Sequence, residues 1–297
     1  MSGFTTKIDL LQGSVFIKEL KVKHFKTILK TLLGDTPSVE DVLINLVNIL
    51  TDTTTLSVDE IYNLSVLDFL IIVIELRSVS IGGTIQLEIT EQKNFKFDFN
   101  LEKAVEVIKK LQNNELVQNI DNFKIVYRYP SVKDYFLSAE EDKLLILKRY
   151  IKEIHISNHE FIEIFKLDDN VFIELFEALP ANISAKIFKH ITDIVQHLNQ
   201  INLLDYLINK NLSLHFSKDT FVFILQILFS KNLYPLYENI FALAKFANLS
   251  PSYIEECTPG EYTIFVKLLE QILKEQNSQQ KSANILPPIN TKNPEFV

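Results

Sequence analysis

LSVLDFLIIVIELRSVSIGGTIQLEIT, residues 64–90, holds the two periodicities that decide the fold. From Leu64 to Leu76 the chain is apolar except at Ser65, Asp68 and Glu75. Just upstream, Ser57-Val-Asp-Glu60 is a capping box, so 59–79 is predicted to form one or two helices at the centre of the core. At Ser80 the pattern changes. Gly82-Gly83 breaks the helix, and TIQLEIT, 84–90, alternates apolar and polar residues with the period of a strand.

Working outward, KFDFN (96–100) and FKIVYRY (123–129) alternate in the same way, with a short helix predicted over 102–111. A small antiparallel β module is therefore expected over 81–137. On the N-terminal side, residues 5–20 read as a hairpin turning at Gln12-Gly13-Ser14. Residues 21–33 carry Val22, Phe25, Ile28, Leu29 and Leu32 on one helical face, and Gly34 ends that helix. Thr36-Pro37 is read as the cap and first turn of a helix that runs to about Leu50.

From Ser138 the chain reads as helical again. Capping boxes stand at Ser138–Glu141 and Ser157–Glu160; Asp169 caps a helix that stops at Pro180, and Asn182 and Ser217 are further caps. Ser250-Pro251 and Thr258-Pro259-Gly-Glu261 each set a capping residue before Pro at the first helical position. The last helix is expected to reach about Gln276. The fold class is thus α+β, mostly α-helical with a small antiparallel β module in the middle of the chain. It is expected in four segments: 1–80, a hairpin and helices; 81–137, the β module; 138–277, a C-terminal helical domain; and 278–297, an extended or disordered tail. No fixed-period repeat is present.

Composition narrows the function classes. At 297 residues, 47% hydrophobic and 23% charged, the chain buries a sizeable core, and wholesale disorder is excluded. Its single Cys, Cys257, cannot form an intramolecular disulfide or a multi-Cys zinc site. No stretch has the pattern of a secretory leader, and no apolar run reaches the ~18–20 residues of a membrane span. Of 30 positive residues only Arg77, Arg128 and Arg149 are Arg, and the net charge is −8. Arg supplies the forks that grip phosphates and guanine edges, so no nucleic-acid partner is expected.

Chemistry is sparse. His155 and His159 lie four apart, but Ile156 stands where a zinc protease needs Glu, and Ser157 reads as a helix start between them. His190 and His197 lie seven apart, too far for a helical metal pair. Cys257 has acidic neighbours, Glu255 and Glu256, that disfavour a thiolate. Asp168-Asp169-Asn170 lacks the spacing, Gly and terminal Glu of a calcium loop, and Gly82-Gly83 lacks the Gly-Lys-Ser/Thr of a phosphate cradle. The chain is read as a non-enzyme, with no catalytic or metal site, no cofactor and no small-molecule substrate. Arg77 is read as structural, a cation meeting the last carbonyls of its helix. Two surfaces remain as candidates for a protein partner. One is the Lys-rich stretch Lys18, Lys21, Lys23, Lys26 and Lys30; the other is the apolar C-terminal region, with Phe221, Phe223, Tyr234, Tyr237 and Phe241.

Four segments in order resemble the baseplate hub subunit family of T-even-like contractile-tailed bacteriophages, whose members are described as hub components or hub-assembly chaperones. They are VFIKELKVKHFKTILKTLLGD (15–35), LSVLDFLIIVIELRSVSIGG (64–83), IVYRYPS (125–131) and LSPSYIEECTPGEYTIFVKLLEQ (249–271). The Cys pair that some members carry in the β-rich segment is missing here, so a metal role for that module has no support. The resemblance implies a role in tail morphogenesis, partners among other hub or tail proteins, and residence in the host cytoplasm or the virion baseplate. The competing function is a nucleic-acid-associated phage accessory protein such as a loader or transcription factor, for which the Lys-rich stretch is the best support.

Overall fold

In the computed structural model, Leu67, Phe69, Leu70, Ile71, Ile72, Val73, Ile74 and Leu76 are all buried, although they point around the full circumference of one helix. A helix apolar on every side has no solvent face and must be enclosed. The structure describes residues 6–10, 13–34, 37–89, 95–112, 116–138, 143–156, 160–205, 207, 213–229 and 233–283.

The strands are β1 (Thr6–Leu10), β2 (Gly13–Ile17), β3 (Thr84–Ile89), β4 (Phe95–Asn100), β5 (Val117–Ile120), β6 (Phe123–Tyr127), β7 (Ile151–His155) and β8 (Phe161–Glu163). The first six helices are α1 (Val22–Leu32), α2 (Val39–Thr53), α3 (Val58–Asn63), α4 (Val66–Ile81), α5 (Leu101–Gln112) and α6 (Lys143–Lys148). Further along, the described residues form α7 (Asp169–Glu177), α8 (Ala181–Asn199), α9 (Phe221–Phe229), α10 (Leu233–Phe246), α11 (Pro251–Glu256) and α12 (Pro259–Ala283). A π-helical turn covers Lys133–Leu137. This is an α+β protein, mostly helical, with small antiparallel sheets. Two compact units form: Met1–Leu20 with His24–Lys231, and Lys21–Lys23 with Asn232–Val297.

Helix α4 is the centre of the first unit. Ser65 caps it, and its start is held by the segment after β6: Val66 donates to Pro130 O at 3.0 Å, and Val132 donates to Leu64 O at 2.9 Å. β1, α5 and α9 pack against it. Phe69 meets Phe221 at 6.2 Å and Phe136 at 6.4 Å between ring centroids, and Phe136 meets Phe221 at 4.5 Å. Gly82, at φ +124°, ends the helix in a backbone conformation that a side chain would strain, and turns the chain into β3.

The polar interruptions in these apolar helices serve their neighbours' backbones. Arg77 donates from Nε to Leu228 O at 2.6 Å and from Nη1 to Gly82 O at 2.7 Å, so it meets the carbonyl ends of α9 and of its own helix. Burial lowers its pKa to about 10, which leaves it charged at neutral pH. Ser80 Oγ accepts from Leu20 N at 2.8 Å. Gln226 in α9 donates to Leu32 O, at the end of α1, at 3.1 Å. The bonds to Leu228 O, Leu20 N and Leu32 O satisfy backbone groups of buried residues that would otherwise be orphaned.

The structure departs from the sequence reading at several points. Strand content does not stop at 137: β7 and β8 complete a four-stranded antiparallel sheet of order β5-β6-β7-β8, so the expectation of helix throughout 138–277 is corrected. β3 and β4 pair separately, as their own two-stranded sheet. Ser38 rather than Thr36 caps α2, its side chain accepting from Asp41 N at 3.0 Å. Asp168 rather than Asp169 caps α7, and Pro180 rather than Asn182 stands at the cap of α8. The last helix extends to Ala283, into the expected tail; residues beyond it lie outside the described residues, as do parts of the predicted boxes at Ser138 and Ser157. The hairpin β1–β2 forms, but Gly13 and Ser14, expected in its turn, are the first residues of β2, paired with Leu10 and Asp9; the Ser57–Glu60 capping box forms as expected.

Phe69 is enclosed by aromatic neighbours, so Phe69→Ala is expected to lower the unfolding free energy by about 3–5 kcal/mol. Phe223, on the same aromatic-rich helix as Phe221 but exposed, is expected to shift it by less than about 0.5 kcal/mol when changed to Ser. Urea denaturation of both variants checks this contrast.

Candidate functional site

In the second unit, α11 and α12 have well-formed starts. Asn248, at φ 54°, ends α10, and Ala247 N donates back to Leu243 O at 3.1 Å. Ser250 caps α11, with Pro251 at the first position. Thr258 and Glu261 form the capping box of α12: Thr258 N donates to Glu261 Oε2 at 2.9 Å, and Glu261 N to Thr258 Oγ1 at 3.3 Å. Leu236, Ile240 and Leu243 bury one face of α10, and Ile254 of α11 and Leu269 of α12 are buried too.

Much of this unit's apolar surface is left over. On α12, Ile264, Leu268 and Ile272 are 58%, 51% and 50% exposed, and their spacing of four places them on one stripe. On α10, Tyr237 and Phe241 share a face, with Phe241 65% exposed. Phe246 and Tyr253 are exposed as well. Lys245 Nζ lies over the rings of Phe241 and Phe246, 5.7 and 5.2 Å from their centroids, which covers them only in part. Apolar stripes left exposed on a helix mark candidate interaction sites.

The structure separates the predicted partner residues. Phe221 is fully buried in the first unit against Phe69 and Phe136, so it is a core residue and not part of a docking surface. Phe223 is exposed, on the opposite side of α9. The side chain of Tyr234 lies outside the described residues. Ile264, Leu268 and Ile272 were not among the sequence candidates. Their signal was present: residues 262–273 hold more apolar positions than one buried helical face can use.

The Lys-rich stretch is not a uniform positive face. Within the second unit, Lys21 Nζ and Lys23 Nζ both hydrogen-bond Glu256, Lys23 at 2.8 Å. Lys18 and Lys30 are exposed and Lys26 is half-buried. Cys257 is buried, donates to Tyr253 O at 3.3 Å, and has its pKa raised by burial first and by Glu261 second. A thiol so placed stays protonated.

His155 sits at the end of β7 rather than on a helix, contacting Glu153 Oε2 at 3.0 Å and stacking on Phe161 at 5.4 Å. His159 lies outside the described residues. His190 lies against the ring of Tyr127 at 4.3 Å, with its pKa lowered by burial. A polar cleft of about 270 Å³ holds Arg128, Arg149 and Lys148 with Asp134 and Asp169. Arg128 pairs with Asp134 at 3.2 Å and donates to Arg149 O at 3.0 Å, while Lys148 pairs with Asp169 at 2.6 Å. These groups tie β6, α6 and α7 together. Among the described residues, no group of three or more His, Cys, Asp or Glu is placed to hold a metal ion, and no helix is long and apolar enough to cross a membrane.

The family model described as T4 bacteriophage base plate protein matches residues 1–203, which include α1–α8 and β1–β8. No curated protein and no solved structure matches the chain.

The ion pairs at Glu256 carry a pH signature. Hydrogen bonds from Lys21 and then Lys23 hold its carboxyl at about 2, against an ordinary 4.5. A depressed carboxylate stabilises the folded state above the unfolded value and loses that contribution as pH falls toward the folded one. Glu256→Gln is therefore expected to melt below the wild type at neutral pH, with the gap closing between about pH 4.5 and pH 2 and shrinking in high salt. Paired melting curves across that range are the check; a gap that ignores pH would contradict the assignment.

Proposed function

The chain belongs to the T4 bacteriophage base plate protein family, and we propose that it serves the central hub of the baseplate through protein–protein contact, without catalysis. In this reading it acts in the host cytoplasm during tail morphogenesis, as a hub component or hub-assembly chaperone, and its partners are other hub and tail proteins. The observation that carries the reading is the stripe of Ile264, Leu268 and Ile272 on α12. Surface helices normally turn such residues inward, and burial against a partner would contribute roughly 25 cal/mol per Å² of apolar area.

The order of events in assembly follows from the same surface. A component keeps its stripe covered in the finished particle, whereas a chaperone releases it. Mass spectrometry of purified virions beside infected-cell lysate separates these two roles.

The contact itself is tested by the triple variant I264S/L268S/I272S. Each site is at least half exposed, so the circular-dichroism spectrum is expected to stay unchanged and the stability to shift by about 0.5 kcal/mol or less per site. Cross-linking mass spectrometry in infected cells is expected to lose the cross-links between α12 and baseplate proteins. Cross-links retained at wild-type yield would sink the proposal.

A further inference from the structure

Arg77 is 7% exposed, and a guanidinium carries five N–H donors. Two hydrogen bonds are accounted for, to Leu228 O at 2.6 Å and Gly82 O at 2.7 Å, and among the described residues no carboxylate pairs with it. Burying an ion is costly unless it is matched, and two helix-end carbonyls offer only partial charges. The same side chain lines a cleft of about 190 Å³ in the first unit, together with Phe25, Ile85 and Phe229. Thr84 and Gln86, both exposed, form its outer edge. The space exceeds the ~150 Å³ at which an apolar protein cavity admits benzene.

We propose that this cleft binds a carboxylate carried on a short apolar group, with the charge against Arg77 and the apolar part against Phe25, Ile85 and Phe229. A single guanidinium matches one carboxylate, through two parallel N–H···O bonds. Apolar walls disfavour a multiply charged phosphate, whose remaining charge would stay unmatched. The chemistry is shared by a free aliphatic carboxylate and by the acidic side chain or chain end of an apolar peptide. The inference is independent of the hub reading, because it concerns a different surface and a different ligand chemistry.

The test uses the purified full chain with four probes: hexanoate, hexanamide, an apolar tripeptide acid and the same tripeptide as its C-terminal amide. Calorimetric titration is expected to show saturable binding of at least one acid, at least tenfold tighter than the matching amide. Binding of hexanoate points to a free carboxylate, and binding of the tripeptide acid alone to a peptide source. Ile85→Trp, which fills the cleft, is expected to keep the far-ultraviolet spectrum and lose the binding. Arg77→Gln is expected to abolish the preference for acid over amide; if that variant does not fold, the cleft-filling variant still decides. Equal binding of acid and amide, no binding by either acid, or unchanged binding by Ile85→Trp would each overturn the proposal.

Discussion

A helix of 16 residues with no solvent face, α4, is the constraint on which the first unit depends. An amphipathic helix needs cover on one side, and a helix apolar all round needs it on every side. β1, α5 and α9 supply that cover, and the segment 130–132 fixes the helix start through backbone bonds. Enclosure creates a second requirement, since a buried backbone group without a partner is costly. Arg77, Ser80 and Gln226 meet it, each reaching a neighbour's main chain. The few polar residues of the most hydrophobic helices are thereby used as connectors, and the aromatic contact of Phe69, Phe136 and Phe221 fills the space between them.

The second unit shows the opposite economy. Helices α11 and α12 start on well-formed caps, and the unit buries a modest apolar face, yet it leaves Phe241, Ile264, Leu268 and Ile272 in water. Local capping fixes where α12 begins, so the exposed stripe stands on a defined helix. For a member of a baseplate family, such a surface suits a protein whose business is docking with other chains. The family match ends at residue 203, so α10, α11 and α12, with the exposed stripe, lie beyond the matched stretch.

What the sequence made legible was local. Ser57–Glu60, Ser250-Pro251 and Thr258–Glu261 are helix starts written in adjacent residues, and each forms as read. What it hid was long-range. β7 buries Ile151 and Ile154, three apart, because a bulge against Val126 and Tyr127 interrupts the alternation of a strand. That spacing imitates a helix. Nor does the run at 221–229 say which of its residues face a core: Phe221 is enclosed and Phe223 is not. The acidic partner of Lys21 and Lys23 stands more than 200 residues away in sequence, at Glu256, so nothing local to the Lys-rich stretch reveals that pairing. Adjacent caps such as Asp168 and Asp169 are chemically equivalent, and only the chain's path selects between them.

Hydrogen exchange, measured on the free chain and on the chain within assemblies of baseplate proteins, tests the central claim most directly. Amides of residues 69–74 in α4 should be protected in both states, because that helix is enclosed without any partner. Amides of residues 264–272 in α12 should exchange faster in the free chain and slow on assembly. Equal exchange of 264–272 in the two states would contradict a docking role for this surface.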